Sequence, residues 1–321
     1  MPLSHPVTRS PMKEQYRQLC ETEGQYVPLF QQYWWMETVC AGKQWDVLLC
    51  ERNGRICGAM PFLYGKRFGL KYTLQPQLTP WCGPWVAPEL DEETRRFTLE
   101  ALAAAMRRRH FALYMQCFPP ETTEWQPFVE HGFRHTTRFT YRFPSLADPE
   151  ALYHAASRIR RRYDKEVEAE CVVDEHLSLD EFVPFHIDYY RRRGERDLID
   201  EALMRRVVST ACGRNQGLLW GLRSRSDQSL QAAWFVAYDE RCAWSLLLAI
   251  GKKAPKGAMS YLMWQAIRRL SSLTRSFDFE GGMEPSLGFF YSTFGTQQTP
   301  YHCIYRSCIP FGKNLLKVGG V

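Results

Sequence analysis

The stretch Phe277-Asp278-Phe279-Glu280-Gly281-Gly282 decides the fold that this sequence predicts, read together with the segments on either side of it. Before it, a strand runs into the turn from Lys252 to Ala258, and a helix is predicted from Ser260 to Ser272. After it, a short helix from Pro285 to Thr293 precedes a last strand. This order places a helix N-terminus beside two strand ends, where backbone N–H groups can hold a phosphate.

Alternation along a strand predicted from Arg275 to Glu280 places Asp278 and Glu280 on one face and the two phenylalanines on the other. Glu280 precedes two glycines, which let a ligand approach the backbone closely. If burial raises its pKa, Glu280 can act as a general base; otherwise it caps the next helix or pairs with an arginine. Asp278 lies deeper and suits either a substrate contact or a structural hydrogen bond.

The length of 321 residues fits two domains better than one small core. Each half of the sequence shows helices, three strands, a helix, a strand, a short helix and a final strand. This repeated order predicts a duplicated α/β domain in which residues 45–143 correspond to residues 216–307. The segment from Pro144 to Pro149 is the expected boundary, which gives domains of residues 1–147 and 148–321.

Arginine clusters account for most of the formal net charge of +6. They indicate either an anionic partner, such as a nucleotide cofactor, a phospho-substrate or RNA, or solvated helix faces. In the long basic helix predicted from Pro149 to Glu170, Arg158 and Arg161 share one face and are candidates for a phosphate or RNA contact. The main clusters are Arg107-Arg108-Arg109, Arg158 with Arg160-Arg161-Arg162, and Arg191-Arg192-Arg193.

The cysteines and histidines show none of the spacings that metal sites use. Eleven cysteines are scattered without a C-x-x-C pair, which argues against a disulfide framework and against structural zinc. We therefore predict no metal site and a reducing compartment. The N-terminus lacks the apolar core of a signal peptide, and the longest apolar run, Cys242 to Ile250, is too short to cross a bilayer. These features predict a cytoplasmic protein without a membrane-inserted segment.

Four segments of the second half carry a family likeness: Gly257 to Leu262, Phe277 to Gly281, Phe290 to Gly295, and Pro300-Tyr301. Through them the chain resembles the GNAT acyltransferase superfamily, in the branch that contains the Fem-type peptidoglycan aminoacyltransferases. Bacterial relatives of unknown substrate look similar along nearly the whole length. They share Trp34-Trp35, Ala59-Met60-Pro61, the loop from Leu78 to Pro84, and Arg158-Ile159-Arg160-Arg161.

The resemblance implies a tandem GNAT-like α/β fold, in which each domain contains a mixed, mostly antiparallel sheet flanked by helices. It also implies an N-acyltransferase whose co-substrate is acyl-CoA or an aminoacyl-tRNA, with no tightly bound cofactor. In GNAT enzymes the third and fourth core strands splay apart around the donor, and the turn after the third strand cradles its pyrophosphate. That cradle maps here onto Ile250, Lys253, Lys256, Gly257, Ala258 and Ser260.

Further residues take expected roles from the resemblance or from their chemistry. Tyr291 stands where many GNAT enzymes keep a tyrosine that protonates the departing thiolate, and packing is its alternative role. Trp81 and Gly83 lie in a stiff aromatic loop that either lines a groove for substrate or packs between the halves. The acceptor is expected to be a small-molecule amine or a peptidoglycan precursor.

The turn before the helix predicted from Ser260 to Ser272 departs from the family pattern. Lys256 replaces the first glycine of the phosphate loop, and Pro255 removes an N–H donor. Ser292 also stands where relatives often carry arginine. Three hypotheses remain: an N-acyltransferase that uses acyl-CoA, a Fem-type tRNA-dependent aminoacyltransferase acting on a cell-wall precursor, and a catalytically inactive GNAT pair that binds a partner. Retention of Glu280 and Tyr291 favours the first, and the altered turn favours the other two.

Overall fold

The first half of the chain folds into four helices and six strands along the part that the structure describes. The computed structural model describes residues 11–194 and 199–308. The helices are α1 (Pro11–Thr22), α2 (Tyr33–Val39), α3 (Glu92–Arg108) and α4 (Gln126–Glu130), and a 3₁₀ turn covers Leu29–Gln31. The strands are β1 (Gln44–Arg52), β2 (Arg55–Arg67), β3 (Leu70–Leu74), β4 (Trp85–Val86), β5 (Leu113–Cys117) and β6 (Arg134–Phe143).

The second half repeats the order of three strands, helix, strand, short helix and strand, as the sequence predicts. Its helices are α5 (Pro149–Ala155), α6 (Arg158–Arg161), α7 (Asp164–Glu170), α8 (Leu179–Arg192), α9 (Glu201–Gly213), α10 (Ala258–Leu270) and α11 (Pro285–Ser292). Its strands are β7 (Cys171–Asp174), β8 (Gly217–Ser224), β9 (Leu230–Tyr238), β10 (Cys242–Ile250), β11 (Ser276–Asp278) and β12 (Gln297–Ser307). Strand β7 is an addition that the sequence did not predict.

Local sequence explains the most regular elements. The hairpin of β1 and β2 turns at Asn53 and Gly54, whose positive φ angles of 54° and 74° suit this residue pair. Helix α3 begins where the Asp91 carboxylate accepts a hydrogen bond from the Thr94 N–H at 2.7 Å. Both features agree with the sequence-based prediction.

The chain divides into two units, and each is completed by a strand from the other half of the sequence. Within the described residues, the first unit contains 11–138 and 301–308, and the second contains 139–194 and 199–300. In the first, β12 pairs antiparallel with β5, for example Cys303 with Cys117. In the second, Phe143 at the end of β6 pairs antiparallel with Phe277 of β11. The division into these two units lies inside β6 and β12, because strand pairing across the sequence decides it.

The sheets are mixed and mostly antiparallel, as expected. The strand order is β1-β2-β3-β5-β12 in the first unit, with β4 beside β2, and β6-β11-β10-β9-β8-β7 in the second. The parallel pairs are β3 with β5 and β10 with β11. Helix α10 packs its apolar side, including the fully buried Trp264 and Leu262, into the core of the second unit.

The prediction of one long basic helix from Pro149 to Glu170 is wrong. The chain forms α5, α6 and α7 instead, because Ala156 and Ser157 leave the helical region, with ψ angles of 149° and 147°. Ala156 is buried in the core, and the Ser157 N–H donates to the Thr293 carbonyl at 3.0 Å. Tertiary packing of this corner therefore replaces the helical hydrogen bonds that the sequence pattern favours.

Two further features concern membrane-spanning helices and the state of the cysteines. Within the described residues, no helix has both the length and the apolar character needed to cross a bilayer. Eight of the cysteines are buried as free thiols: Cys40, Cys50, Cys57, Cys82, Cys117, Cys171, Cys242 and Cys303.

Candidate active site

Strands β10 and β11 separate soon after they meet. Their parallel pairing covers three residue pairs and ends where Trp244 lies opposite Asp278. Strand β10 then continues to Ile250, and on its other side β9 pairs with it around a bulge at Leu246. The β10 edge from Ser245 onward therefore carries backbone N–H and C=O groups with no strand partner on the β11 side, within the part of the chain described.

The chain turns sharply where β11 ends. The strand stops at Asp278, so the expectation that Glu280 shares a strand face with Asp278 is wrong. Glu280 has a φ of 51°, and the next two glycines have φ values of 100° and 129°. A left-handed glutamate is a strained conformation that the surroundings must impose. Two hydrogen bonds do so, since Phe279 N–H donates to the Tyr141 carbonyl at 2.9 Å and Glu280 N–H donates to Asp278 Oδ1 at 2.8 Å.

The Glu280 carboxylate is the most unusual group in this turn. Its side chain is partly buried and has no hydrogen-bond or ion-pair partner among the described residues. Burial, reinforced by the negative charge of Asp278, raises the pKa of Glu280 from 4.5 to about 8. A carboxyl group with such a pKa exchanges its proton near neutral pH, which is the property that a general base needs.

Asp278 holds the turn rather than facing an open surface. It is fully buried, and the Thr140 hydroxyl donates to its Oδ1 at 2.5 Å. The Arg142 guanidinium lies 3.2 Å from its Oδ2 as an ion pair. These contacts favour the structural role that the sequence left open for Asp278. The negative charge of Asp278 nevertheless contributes to the raised pKa of Glu280.

Tyr291 lies next to this turn. Only 5% of the residue is exposed, and its ring centroid lies 4.8 Å from that of Phe279. Burial raises the pKa of Tyr291 strongly, and the nearby charge of Glu280 raises it further. The phenol therefore keeps its proton at neutral pH and can donate it.

The turn before α10 places the expected donor-binding residues at the far end of β10. Gly257, with a φ of 88°, precedes the helix, and a Cβ there would lie 2.9 Å from the Tyr163 Cβ. The Ala258 N–H, expected to face a pyrophosphate, donates to the Pro255 carbonyl at 3.1 Å. The Ser260 hydroxyl accepts a 3.4 Å hydrogen bond from Arg160.

Other expected donor contacts differ in exposure. Lys253 and Lys256 are exposed in this turn. The carbonyl of Ile250, at the end of β10, accepts a hydrogen bond from Arg192 Nη2 at 2.6 Å. The two lysines are therefore free to meet an anion, whereas the Ile250 carbonyl already has a partner.

Trp81 and Gly83 lie in the interior of the first unit. Trp81 is 3% exposed and packs edge-on against Tyr301, with ring centroids 4.9 Å apart. A Cβ at Gly83 would lie 2.4 Å from the Phe118 ring. Their surroundings thus favour packing over groove lining.

Arg158 is exposed, and Arg161 is partly buried, on the short helix α6. Both line an open groove of about 590 Å³ together with Ile159 and Arg162. Sequence reasoning did not single out Arg160, whose guanidinium lies 4.5 Å from the ring centroid of Phe290, the neighbour of Tyr291. Its signals in the sequence were membership of the arginine cluster and of the shared segment Arg158-Ile159-Arg160-Arg161.

The partners of the turn could not be found from the sequence either. Thr140, Tyr141 and Arg142 reach it through the pairing of β6 with β11, across more than a hundred residues of chain. For metals, the described residues contain no group of three or more His, Cys, Asp or Glu side chains placed to hold an ion.

No protein-family model and no curated protein matches the sequence. Among solved structures the chain is similar to FemX, at 12% identity with a TM-score of 0.69, over 97% of this chain and 99% of that one. It is also similar to the C-terminal domain of a putative lysylphosphatidylglycerol synthetase from Agrobacterium fabrum, at 13% identity with a TM-score of 0.61, over 95% of each chain. A tandem GNAT protein from the clavulanic acid biosynthesis pathway matches at 11% identity with a TM-score of 0.55, over 93% of this chain and 95% of that one.

These likenesses establish the fold. The chain has the tandem GNAT fold, and its structural neighbours include FemX, which confirms the fold predicted from the sequence.

Proposed function

We propose that the protein is an acyltransferase that moves an acyl group from an activated donor to an amine. The fold is that of FemX and of a tandem GNAT protein. The observation that carries the proposal is the Glu280 carboxylate, which has no partner in the described structure and whose pKa is raised to about 8. It lies directly after the point where β10 and β11 separate.

In the proposed reaction, the nitrogen of the acceptor amine attacks the carbonyl carbon of the donor. A C–N bond forms, and the bond from the carbonyl carbon to the leaving sulfur or oxygen breaks. Glu280 accepts the proton that the amine loses. Tyr291, which holds its proton at neutral pH, donates it to the leaving group and is reprotonated from solvent.

Backbone groups of β10 supply the electrostatic part of the mechanism. The edge from Ser245 to Ile250 has no strand partner on the β11 side, and the bulge at Leu246 alters the direction of its N–H groups. N–H groups directed at the donor carbonyl stabilise the negative charge that develops on its oxygen. Positioning of donor and acceptor contributes the rest.

Acyl-CoA is the donor that we propose first, because its thioester suits attack by an amine and protonation of the thiolate by Tyr291. An aminoacyl-tRNA is the second candidate, in a Fem-type reaction on a cell-wall precursor. One observation favours it: the Ala258 N–H is already bonded to the Pro255 carbonyl, so the usual pyrophosphate cradle offers fewer donors.

A transfer assay with a Glu280→Gln variant tests the proposal. Native mass spectrometry of freshly purified protein first identifies a co-purified CoA species or tRNA. Transfer from that donor, radiolabelled in its acyl group, is then measured against a panel of amines. Because Gln keeps the shape of Glu but cannot accept the proton, we expect the rate to fall by about 10²–10⁴-fold.

The matched control is Glu240→Gln, which makes the same change at an exposed turn after β9. It should keep the wild-type rate. Full activity of the Glu280 variant would remove Glu280 from the mechanism. Absence of transfer with both donor classes would favour the inactive binding pair instead.

A further inference from the structure

The segment Ser157–Arg162, called here the arginine segment, concentrates positive charge without an ion pair to a carboxylate of the described residues. Its four arginines, at 158 and 160–162, make no ion pair within residues 11–194 and 199–308. Other arginines on helices of the second unit are paired, such as Arg205 with Asp180 at 2.7 Å and Arg268 with Glu150 at 2.5 Å. An unpaired guanidinium on the surface is ordinary, but an unpaired buried one is costly.

Arg160 is the clearest case. Its Nε is buried and has no hydrogen-bond partner, and its Nη1 makes only the 3.4 Å contact to the Ser260 hydroxyl. The guanidinium lies 4.5 Å from the ring centroid of Phe290 and 5.8 Å from that of Phe294. Burial lowers the pKa of Arg160, and no neighbouring acid offsets that effect. The N–H donors of the Arg160 guanidinium are thus held in position without a carboxylate or phosphate, the acceptors that bind guanidinium most strongly.

Two neighbouring residues also have buried polar atoms that lack a hydrogen-bond partner among the described residues. The Nε of Arg161 and the hydroxyl of Ser157 are also buried without a hydrogen-bond partner. Arg161 reaches only the Ala156 carbonyl, through a 3.4 Å hydrogen bond from Nη2. The Asp164 carboxylate interacts electrostatically with Arg161, and its Oδ2 accepts a hydrogen bond from the Tyr153 hydroxyl at 2.5 Å. Arg161 also lines the open groove of about 590 Å³, together with Arg158, Ile159 and Arg162.

We propose that the arginine segment, together with the Ser260 hydroxyl, binds the phosphate groups of the donor substrate. Phosphate oxygens match the planar donor fork of arginine, and a bound phosphate would supply the acceptor that the buried Nε–H of Arg160 or of Arg161 lacks among the described residues. This site replaces a cradle made by the turn before α10, where the Ala258 N–H is already used and Pro255 has none.

The location suits a donor that reaches the candidate active site. Phe290, which packs against Arg160, lies with its ring centroid 5.6 Å from that of Tyr291. The proposal depends on the proposed function in one respect: it identifies the phosphate-containing ligand as the acyl donor. Phosphate binding itself can be measured without any reaction, so the two can fail separately.

Isothermal titration calorimetry with inorganic pyrophosphate tests the site on the full-length protein at low salt. The variants are Arg160→Gln, Arg161→Gln and the double substitution. We expect each single variant to weaken binding about 10-fold or more, since each removes charge-assisted hydrogen bonds. Titrations with CoA and with a short RNA hairpin that ends in CCA then distinguish a small nucleotide donor from an RNA donor, and the variants should weaken whichever of the two binds.

Two controls keep the result specific. Arg269→Gln removes the same charge at the opposite end of α10, and it should leave binding unchanged. Lys253→Gln with Lys256→Gln alters the turn, and we expect less than about a 3-fold effect. If Arg160→Gln lowers the melting temperature, Arg161→Gln and Arg160→Lys are used in its place. Lysine keeps the positive charge but lacks the planar set of N–H donors of arginine.

The proposal is overturned by unchanged pyrophosphate binding in the folded double variant, or by no binding to the wild type at all. It is also overturned if Arg269→Gln weakens binding equally, which would indicate general attraction to positive charge. Weaker pyrophosphate binding in the lysine variant alone would also overturn it, because it would indicate that the phosphate binds at the turn before α10.

Discussion

Both units contain a parallel pair of strands that separates, and they differ in how the polar groups beyond that pair are used. In the first unit, the chain after β3 folds back and its polar groups pair with the end of β5: Gln75 Oε1 accepts from Cys117 N–H at 3.0 Å, and Cys82 N–H donates to the Cys117 carbonyl at 2.9 Å. In the second unit, the β10 edge lacks a strand partner on that side and the Glu280 carboxylate lacks any partner in the described residues.

The chain just beyond each strand shows the same contrast. After β5 it reads Phe118-Pro119-Pro120, and after β11 it reads Phe279-Glu280-Gly281. Phe118 and Phe279 are both buried in the core of their own unit. Prolines have no N–H to offer a ligand, whereas a strained glutamate beside glycine has a reactive group and an open backbone. The polar groups at this point are therefore used within the fold in the first unit, whereas in the second unit the Glu280 carboxylate has no partner among the described residues.

The largest effect on stability should come from Trp81→Ala in the first unit. Trp81 is almost fully buried against Tyr301, so its removal leaves a cavity that the packed loop cannot refill. We expect the free energy of unfolding to fall by about 3–5 kcal/mol, measured by chemical denaturation. A loss below about 1 kcal/mol would mean that the loop is loosely packed and that the contrast between the units is overstated.

Gly83→Ala should have the next largest effect. The added Cβ would lie 2.4 Å from the Phe118 ring and 3.1 Å from the Phe118 Cα, so neither the ring nor the backbone can avoid the strain easily. We expect a loss of about 1–3 kcal/mol in the free energy of unfolding. Glu280→Gln is the matched change in the second unit, and at pH 4, where the carboxyl is protonated in both the folded and the unfolded chain, it should alter stability by less than about 0.5 kcal/mol.

A third effect on stability is the pH dependence that Glu280 contributes. Its pKa is higher in the folded state, about 8, than the ordinary 4.5, so the folded protein holds this proton more tightly. The stabilisation is therefore complete below pH 4.5 and is lost as the pH rises toward 8. Its slope is at most about 1.4 kcal/mol per pH unit, and less where solvent reaches the carboxylate.

Denaturation curves at several pH values for the wild type and Glu280→Gln measure this contribution as their difference. The variant should gain stability relative to the wild type as the pH rises from 5 to 8. A constant difference over that interval would show that Glu280 titrates as an ordinary exposed carboxylate and that the two units differ less than their structures indicate.

The sequence predicted those features that depend on local pattern. Asn53-Gly54 marks the first hairpin, Asp91 caps α3, and the order of strands and helices in each half predicts the duplicated fold. The segment around Glu280 stands out in the sequence because two glycines come after a strand ending in acidic and aromatic residues. Local pattern was enough in these cases because each feature depends on neighbours in the chain.

Features that depend on distant pairing could not be predicted in this way. The long basic helix breaks because Ser157 bonds to Thr293, far along the sequence. The left-handed backbone of Glu280 depends on Asp278 and on Tyr141 from β6. The buried, unpaired state of Arg160 likewise depends on contacts with Phe290 and Ser260. No periodicity in the sequence encodes these contacts.

The central claim is that the carboxylate of Glu280 has no partner among the described residues and that its pKa is raised to about 8, so that it exchanges a proton close to neutral pH. A ¹³C NMR titration of protein labelled at the glutamate side-chain carboxyl carbons tests it directly, with Glu280→Gln used to assign the signal. The account predicts an apparent pKa of about 8 for Glu280, well above its ordinary value of 4.5. A pKa close to 4.5 would contradict the account, because Glu280 would then be an ordinary carboxylate.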